Sequence, residues 1–545
     1  MTTVSLAAAL ASCGRTPVWV HGADGALDAG PRDDEDGPGA TSTSGGDDST
    51  GYECDPVTGL CPIGLLMSRA VDILFVIDNS GSMGGKQGTL ARSFRSFVDV
   101  LESQDLGANY RIGITTTDGT GHLRATNCRS RLHEFIFNGN HGTVDEQQRG
   151  CLDHCEDESL TIVEPWLEKG AGSTNLPPGI DMADALQCVG PQGINGPGLE
   201  KPLESMLNVI ENRSSGFLRD EALLAVIIVT DEADCSMTAE METWMATQGS
   251  VFWSTPERPT SALCWNAGVQ CLGGPNPYTH CHAVDKGPDG QPTSNPEQAR
   301  LLPVQRYVDA LSQLAQEKQM TGSHGQVLFS LIGGVPVDYP DSPIVYANSV
   351  FPEFNIEYGI GPSCDRGFET IMDPPGIPPV RMREVAEAFA SDEQNMFSIC
   401  MDDYGVALER IADAIELLAE RACVAGCVAD LDHGAPQLLP SCVLTERFPA
   451  DSGQSDRLVP PCSIEDDDWV FPGPDVHTCY RALTDADGGT PTEVDDMSPQ
   501  CVTLGFNLEL WIERREGVPV PAGTAIEVHC DLLAPPGVRC EDVGD

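Results

Sequence analysis

Three nearly unbroken apolar runs constrain this chain most: VDILFVI at 71–77, ALLAVIIVT at 222–230 and QVLFSLIG at 326–333. Short runs rich in Val and Ile read as strands, and a strand without polar alternation needs apolar cover on both faces. Between them lie stretches with helical spacing. LARSFRSFVDVL (90–101) aligns Leu90, Phe94, Phe97, Val98 and Leu101 on one helix face. LEKPLESMLNVIE (199–211), VQRYVDALSQLAQEK (304–318), MREVAEAFA (382–390) and YGVALERIADAIELLAERA (404–422) continue the pattern. RIGITTT (111–117), LHEFIF (132–137) and MFSIC (396–400) read as further strands. This alternation predicts an α/β fold with a doubly wound, mostly parallel sheet of six strands between two helical layers.

After Cys427 the texture changes to Pro, Asp and Cys. Leu508, Leu510 and Ile512 alternate with polar residues, as do Ile526, Val528 and Cys530, with GVPVPAG as the turn between. Residues 426–545 therefore read as a small disulfide-stapled β-rich module. The chain has 545 residues, and 40% are hydrophobic, which excludes global disorder. With 83 acidic and 31 basic residues the formal charge is −52, a field that repels nucleic acid and anionic lipid surfaces. No apolar stretch reaches the length of a membrane-spanning helix. The 21 cysteines favour an oxidising compartment.

The odd cysteine count directs attention to the start of the chain. Val4 to Ala11 form an apolar run, and Leu10-Ala11-Ser12-Cys13 closes it. This tetrapeptide resembles the lipobox of bacterial lipoproteins, which implies cleavage before Cys13, acylation of its thiol and an exported protein held at the bacterial cell envelope by its lipid alone. Setting Cys13 aside leaves an even 20 cysteines, enough for ten disulfides whose pairing the sequence leaves open. Residues 14–62 form a flexible acidic linker of Gly, Asp, Ser and Thr. Near its end Cys54 and Cys61 bracket DPVTGL, a turn suited to a local disulfide loop.

The chemistry gathers after the first buried strand, where the turn reads Asp78-Asn79-Ser80-Gly81-Ser82-Met83. In an open α/β sheet, ligands sit beyond the carboxyl ends of the strands. The turns after VDILFVI and ALLAVIIVT thus share one edge, which brings Asp231 toward Asp78, Ser80 and Ser82. Two carboxylates and two hydroxyls make an oxygen-only set that suits Mg²⁺ or Ca²⁺ rather than Zn²⁺. Gly81 and Gly84-Gly85 let the backbone turn closely at a helix N-terminus. The competing reading is that Asp78 and the serines simply cap that helix.

The DxSxS turn, the strand before it, the helix after it and the later strand ending in Thr230-Asp231 resemble the von Willebrand factor A domain and its metal-ion-dependent adhesion site. The resemblance covers about 63–422, within a domain set at 63–425. It implies a non-enzymatic binding protein whose divalent cation bridges to a carboxylate on a protein or polysaccharide partner. The family supplies a further Thr from the loop before the third helix. Here that loop, Gly190 to Glu200, has none. Glu200 or Thr174 is the available substitute, and an added carboxylate favours Ca²⁺. Glu200 also reads as a favourable charge at a helix N-terminus. Asn212, Gly216-Phe217-Leu218-Arg219, Asp231 to Ser236, Ser363-Cys364 and Ser398-Ile399-Cys400 resemble a bacterial lipoprotein subgroup of these domains.

Residues 236–300 form a long insertion bearing Trp244, Trp253, Trp265 and Tyr278. They read either as an aromatic wall beside the site or as the small core of the insertion itself. His154 between Cys151 and Cys155, and His280-Cys281-His282, have loose metal spacing, with disulfides the favoured fate of those cysteines. Asp485-Ala486-Asp487-Gly488 hints at a calcium loop without the rest of that pattern. The chain has no GxSxG, HExxH or phosphate-binding GK[ST] motif, which argues against a hydrolase. A disulfide-stapled structural module without metal-dependent binding is the alternative to the cation site.

Overall fold

The computed structural model describes residues 54–543 except 103–108, 137–143, 171–172, 254–258, 321–325, 366–374, 391–393, 432–437, 451, 466–467, 487–491, 493, 516, 519 and 522. Cys13 and the linker before Cys54 lie outside the described residues. The first half of the fold runs through β1 (Cys61–Ser68), β2 (Ala70–Ile77), α1 (Gly84–Leu101), β3 (Asn109–Thr116), β4 (Trp166–Gly170) and β5 (Ser173–Thr174). Then come α2 (Met182–Val189), α3 (Pro202–Glu211), β6 (Leu223–Val229), α4 (Ala239–Gln248), α5 (Ala262–Gly268), β7 (Val269–Gly273) and β8 (Tyr278–Ala283). The second half continues with α6 (Val304–Met320), β9 (Val327–Gly333), α7 (Pro352–Tyr358), α8 (Val380–Ala388), β10 (Met396–Ser398) and α9 (Gly405–Ala419).

The central sheet has seven strands in the order β10-β9-β6-β2-β3-β4-β5, where six were expected. Strands β10, β9, β6, β2 and β3 run parallel, and β4 and β5 extend the edge antiparallel. The extra strand is a two-residue edge piece closing a turn from β4. The continuous apolar runs have a direct cause. Val71, Ile73, Phe75 and Ile77 of β2 pack toward α1, α2 and α9, whereas Leu74 and Val76 pack toward α3, α6 and α8. Both faces are covered, so neither parity of side chain can be polar. Phe75 sets its ring edge-on to Phe94 and Phe97 of α1 at 5.4 and 5.5 Å, the favoured aromatic geometry.

LHEFIF does not form a strand. Residues Cys128–Phe135 form a 3₁₀ segment capped by Asn127, whose side chain accepts from the Arg129 amide. Cys128–Cys151 ties this segment to the residues that follow it, and Cys155–Cys188 ties those to α2. All 20 cysteines from Cys54 onward are paired in ten disulfides. The expected Cys54–Cys61 loop is among them.

The C-terminal region contains β11 (Arg421–Cys423), β12 (Cys442–Arg447), β13 (Arg457–Val459), β14 (Ser463–Glu465), β15 (Asp468–Val470), β16 (Thr478–Leu483), β17 (Glu509–Arg514) and β18 (Ala525–Leu532). One boundary and one strand pairing differ from the expectation. Strand β1 pairs along its full length with β18, so residues 61–68 lie in the C-terminal sheet rather than in the α/β domain that was set to begin at 63. Strands β17 and β18 do not form a hairpin across GVPVPAG. Strand β18 is central, with β1 on one side and β12 on the other, while β17 lies between β11 and β16. The alternating residues still face inward: Leu508, Leu510, Ile512, Ile526, Val528 and Cys530 share one core with Ile63 and Leu65 of β1.

The Cys423–Cys501 bridge closes a separation of 78 residues between β11 and the short helix Pro499–Leu504 that precedes β17. Replacing both cysteines by serine is expected to lower unfolding stability by about 4 kcal/mol through the freed unfolded chain, as measured by denaturant titration.

Candidate functional site

The DxSxS turn is held at the carboxyl end of β2 by its neighbours. The Asp78 amide donates to the Val229 carbonyl of β6 at 2.9 Å, continuing the parallel ladder one residue past the strand. The Asp78 Oδ1 accepts from the Ser80 amide at 2.7 Å and Oδ2 from the Thr230 hydroxyl at 2.6 Å. The Ser82 hydroxyl donates to Asp231 Oδ1 at 2.9 Å and lies 2.7 Å from the Ser80 hydroxyl. Ser82 has one proton and gives it to Asp231, so Ser80 donates to Ser82. The hydroxyl protons therefore point along a chain toward the carboxylate, and lone pairs on both serine oxygens remain free to accept a cation. Asp78, Ser80, Ser82 and Asp231 are all buried, and this hydrogen-bond network joins them.

Glu200 joins the same cluster. It is buried, its Oε2 accepts from the Thr117 hydroxyl just past β3, and its Oε1 is buried with no hydrogen-bond partner. Thr174, the other candidate, is not there. It sits exposed in edge strand β5 with its hydroxyl on the Glu168 carbonyl. The Gly190–Glu200 loop is fastened to the DxSxS turn by Gln87 of α1. Its Nε2 donates to the carbonyls of Asp78 and Gly193, and its Oε1 accepts from the amides of Gln192 and Gly193. Gly193 has φ +83°, and a Cβ there would meet Glu134 at 2.8 Å, so the turn needs glycine.

Two residues missed from the sequence complete the cluster. Lys86, buried on α1, donates to Asp231 Oδ2 at 2.8 Å and to the Ser82 carbonyl at 3.3 Å. Its signal was its spacing: Lys86 lies four residues after Ser82 and so one helical turn above it. Thr117 was legible only as the end of a strand. Glu232 is also buried here, with its amide on the Thr230 hydroxyl. Asp234, by contrast, turns away to pair with Arg381 at 2.8 Å.

The electrostatics follow from burial. Desolvation and then the charge of Asp231 push Asp78 up to about 7. Burial, followed by Asp78 and Glu232, raises Glu200 well above the usual carboxylate range, and burial with Asp231 and Asp78 does the same for Glu232. Two other buried carboxylates have guanidinium partners, Asp72 with Arg219 and Asp234 with Arg381. Here the ammonium of Lys86 meets a cluster that also holds Asp78, Glu200 and Glu232. Crowded oxygen donors, free hydroxyl lone pairs and the unpartnered Glu200 Oε1 suit a hard divalent cation.

The insertion does not present an aromatic wall. Trp265 packs with Tyr346, Ile360 and Ile377, and Trp244 and Trp253 lie against a core of Met237, Met245, Phe252 and Leu263. Trp244 and Trp253 thus serve the core of the insertion itself, whereas Trp265 is buried against residues beyond it. Cys151, Cys155 and Cys281 are in disulfides, which removes them as metal ligands. Asp487 and Gly488 lie outside the described residues. Asp485 comes together with Asp495 and Asp496, their oxygens within 4.8 Å of one another. A cavity of about 570 Å³ adjoins the DxSxS turn, with Asn79, Asp118, His122, His133 and Asn195 in its wall.

No family model matches the chain, and no curated protein does. Two crystal structures of the pilus adhesin SpaC from Lactobacillus rhamnosus GG, one in an open conformation, align at 10% identity and a TM-score of 0.26. The alignments cover 87% and 88% of this chain and 41% and 42% of the adhesin. The chain thus spans less than half of that protein's length, at a TM-score too low to imply a shared fold.

Two predictions follow from the cluster. Lys86→Met leaves Asp231 buried without its ammonium and is expected to cost about 3–5 kcal/mol in chelator, with part of the loss in melting temperature restored by millimolar Ca²⁺. Asp78 has a folded pKa of about 7 against an ordinary 3.8. The metal-free fold therefore holds a proton that the unfolded chain releases, and stability is full below about pH 4 and falls as pH rises to 7. Asp78→Asn should flatten this decline by at most about 4 kcal/mol. Denaturant titrations of both proteins from pH 4 to 8 check it, since the repulsion of the whole acidic chain is common to the two.

Proposed function

We propose that this chain is an exported cell-envelope protein of the von Willebrand factor A type that binds a divalent cation, Mg²⁺ or Ca²⁺, and through it a carboxylate on a protein or polysaccharide partner. Ser80 and Ser82 would supply hydroxyl oxygens, Asp78 and Asp231 direct or water-mediated carboxylates, and Glu200 a further carboxylate in place of the family threonine. The cation would supply a coordination position for an anionic group. The residues of the chain hold that position at the open edge of the sheet and exclude bulk water from the donors. The observation that carries this reading is the buried, hydrogen-bonded set of Asp78, Ser80, Ser82 and Asp231, with Glu200 buried within electrostatic reach of Asp78. The role is binding, not catalysis.

Ten disulfides support an oxidising compartment. No helix among the described residues is long and apolar enough to cross a membrane, and a lipid on Cys13 would serve as the anchor. The same disulfides favour a second reading, a stapled structural module whose acidic cluster serves no ligand. On that reading chelator leaves function intact and reductant unfolds the chain.

Isothermal calorimetry of the full chain with Mg²⁺ and Ca²⁺ separates the two. Saturable heat is expected, lost in Asp78→Ala and at least tenfold weaker in the Ser80→Ala/Ser82→Ala pair. Heat equal to that of Asp78→Ala removes the cation reading.

A further inference from the structure

A second surface rises from the same edge of the sheet as the carboxylate cluster, and it is independent of the cation reading. The chain leaves β9 at Gly333 and enters α8 at Val380. Just before α8 the Ile377 amide donates to the Asp231 carbonyl at 2.8 Å. Between these points Val337, Val345, Val350, Phe351 and Ile356 are all exposed. Single apolar residues on a surface are ordinary, whereas a cluster of them marks an interaction site. Leu272 of the β7–β8 hairpin is exposed as well, and the segment lies along that hairpin. The Tyr278 amide donates to the Tyr346 carbonyl at 2.7 Å, and the Asn348 amide to the Pro275 carbonyl at 2.9 Å.

These side chains stand on a fixed frame. Asn355 of α7 clamps the turn that bears Val350 and Phe351: its Oδ1 accepts from the Ser349 amide and its Nδ2 donates to the Ser349 carbonyl, both at 2.8 Å. The Thr260 hydroxyl donates to the Ile356 carbonyl at 2.8 Å, which ties α7 to the 236–300 insertion. The rings of Phe354 and Tyr358 lie 4.6 Å apart and pack against the core of Trp265, Tyr346 and Ile360. The segment thus turns two rings inward and leaves Val350 87% and Phe351 55% exposed. A surface already ordered in this way lowers the entropic cost of a contact made there.

Charge selects the occupant. Asp338, Asp341 and Glu353 of the same segment are exposed, and no Lys or Arg occurs from Gly334 to Asp365 or in the hairpin from Val269 to Ala283. The surface is apolar and acidic at once. On a chain of charge −52 it repels a second copy of itself and any anionic lipid surface. Val, Phe and Ile side chains offer a sugar hydroxyl no hydrogen bond. We infer that this surface docks a basic amphipathic segment of a second protein, with its apolar side chains on Val350, Phe351 and Ile356 and its Lys or Arg side chains facing the acidic residues, Glu353 first among them.

The test titrates the full chain into labelled peptides followed by fluorescence anisotropy: an amphipathic Leu/Lys helix, a Leu/Glu helix with the same apolar face, and a Ser/Lys peptide with the same charge. The Leu/Lys peptide is expected to bind more tightly than the other two, and about tenfold more weakly to Val350→Ser/Phe351→Ser, which removes the anchors. Glu353→Lys should weaken it in the same direction. Val163→Ser should not, since Val163 is 90% exposed in the loop before β4, on the far side of the sheet. Ile356→Ser repeats the loss with a single change if the pair lowers the melting temperature. Equal binding of the Leu/Lys and Ser/Lys peptides, or Leu/Lys binding that neither the pair nor Ile356→Ser weakens, reduces the attraction to bulk charge and overturns the inference. Preference for the Leu/Glu helix overturns the basic character of the partner. A dimer seen by sedimentation and lost in Val350→Ser/Phe351→Ser overturns it in favour of self-association, and binding to phosphatidylcholine vesicles lost in the same pair overturns it in favour of a lipid surface.

Discussion

The interaction on which the rim depends is the ion pair between Lys86 and Asp231. It spans from α1 to the turn after β6, at 2.8 Å and in full burial. Because Lys86 also donates to the Ser82 carbonyl while Ser82 donates to Asp231, one ammonium fixes both the DxSxS turn and its neighbour. Buried ion pairs contribute little net stability but are costly to break, since removing one partner strands the other charge. The pair therefore specifies geometry more than it stabilises the fold.

The opposite end of β2 is held differently. Strand β1 ends at Ser68 in the C-terminal sheet and β2 begins at Ala70, so the chain passes directly from one sheet into the other. Arg69 at the junction pairs with Glu420 at 3.0 Å, Ser68 donates to the Glu221 carbonyl, and Gln326 donates to the Arg421 carbonyl. The disulfide-rich module thus clamps the amino ends of β2, β6 and β9. Eight residues of strand, about 26 Å at its usual rise, separate that clamp from the acidic rim.

Much of this was legible because burial leaves a mark on composition. The runs at 71–77, 222–230 and 326–333 coincide with β2, β6 and β9 because covered strands tolerate no polar parity. Asp78, Ser80, Ser82 and Asp231 were legible because a strand followed by DxSxS puts those side chains at one sheet edge. What escaped depends on contacts distant in sequence. Lys86 on a helix reads as solvated unless its depth is known. Thr117 gains meaning only from Glu200, 83 residues on. The sheet membership of β1 is decided by β18, more than 450 residues later, and no local pattern encodes that pairing. LHEFIF reads as a strand by composition, yet residues up to Phe135 belong to a 3₁₀ segment that starts at Cys128 under the Asn127 cap.

Glu200 adds a further carboxylate to the charge balance at the rim. Asp78, Asp231, Glu200 and Glu232 share the cluster with Lys86. With all ionised, four carboxylates against one ammonium leave three negative charges in a desolvated volume, and Asp78 is raised first by that burial and then by the charge of Asp231. A divalent ion would lower the excess to one, which a single retained proton or a solvent-facing carboxylate can absorb.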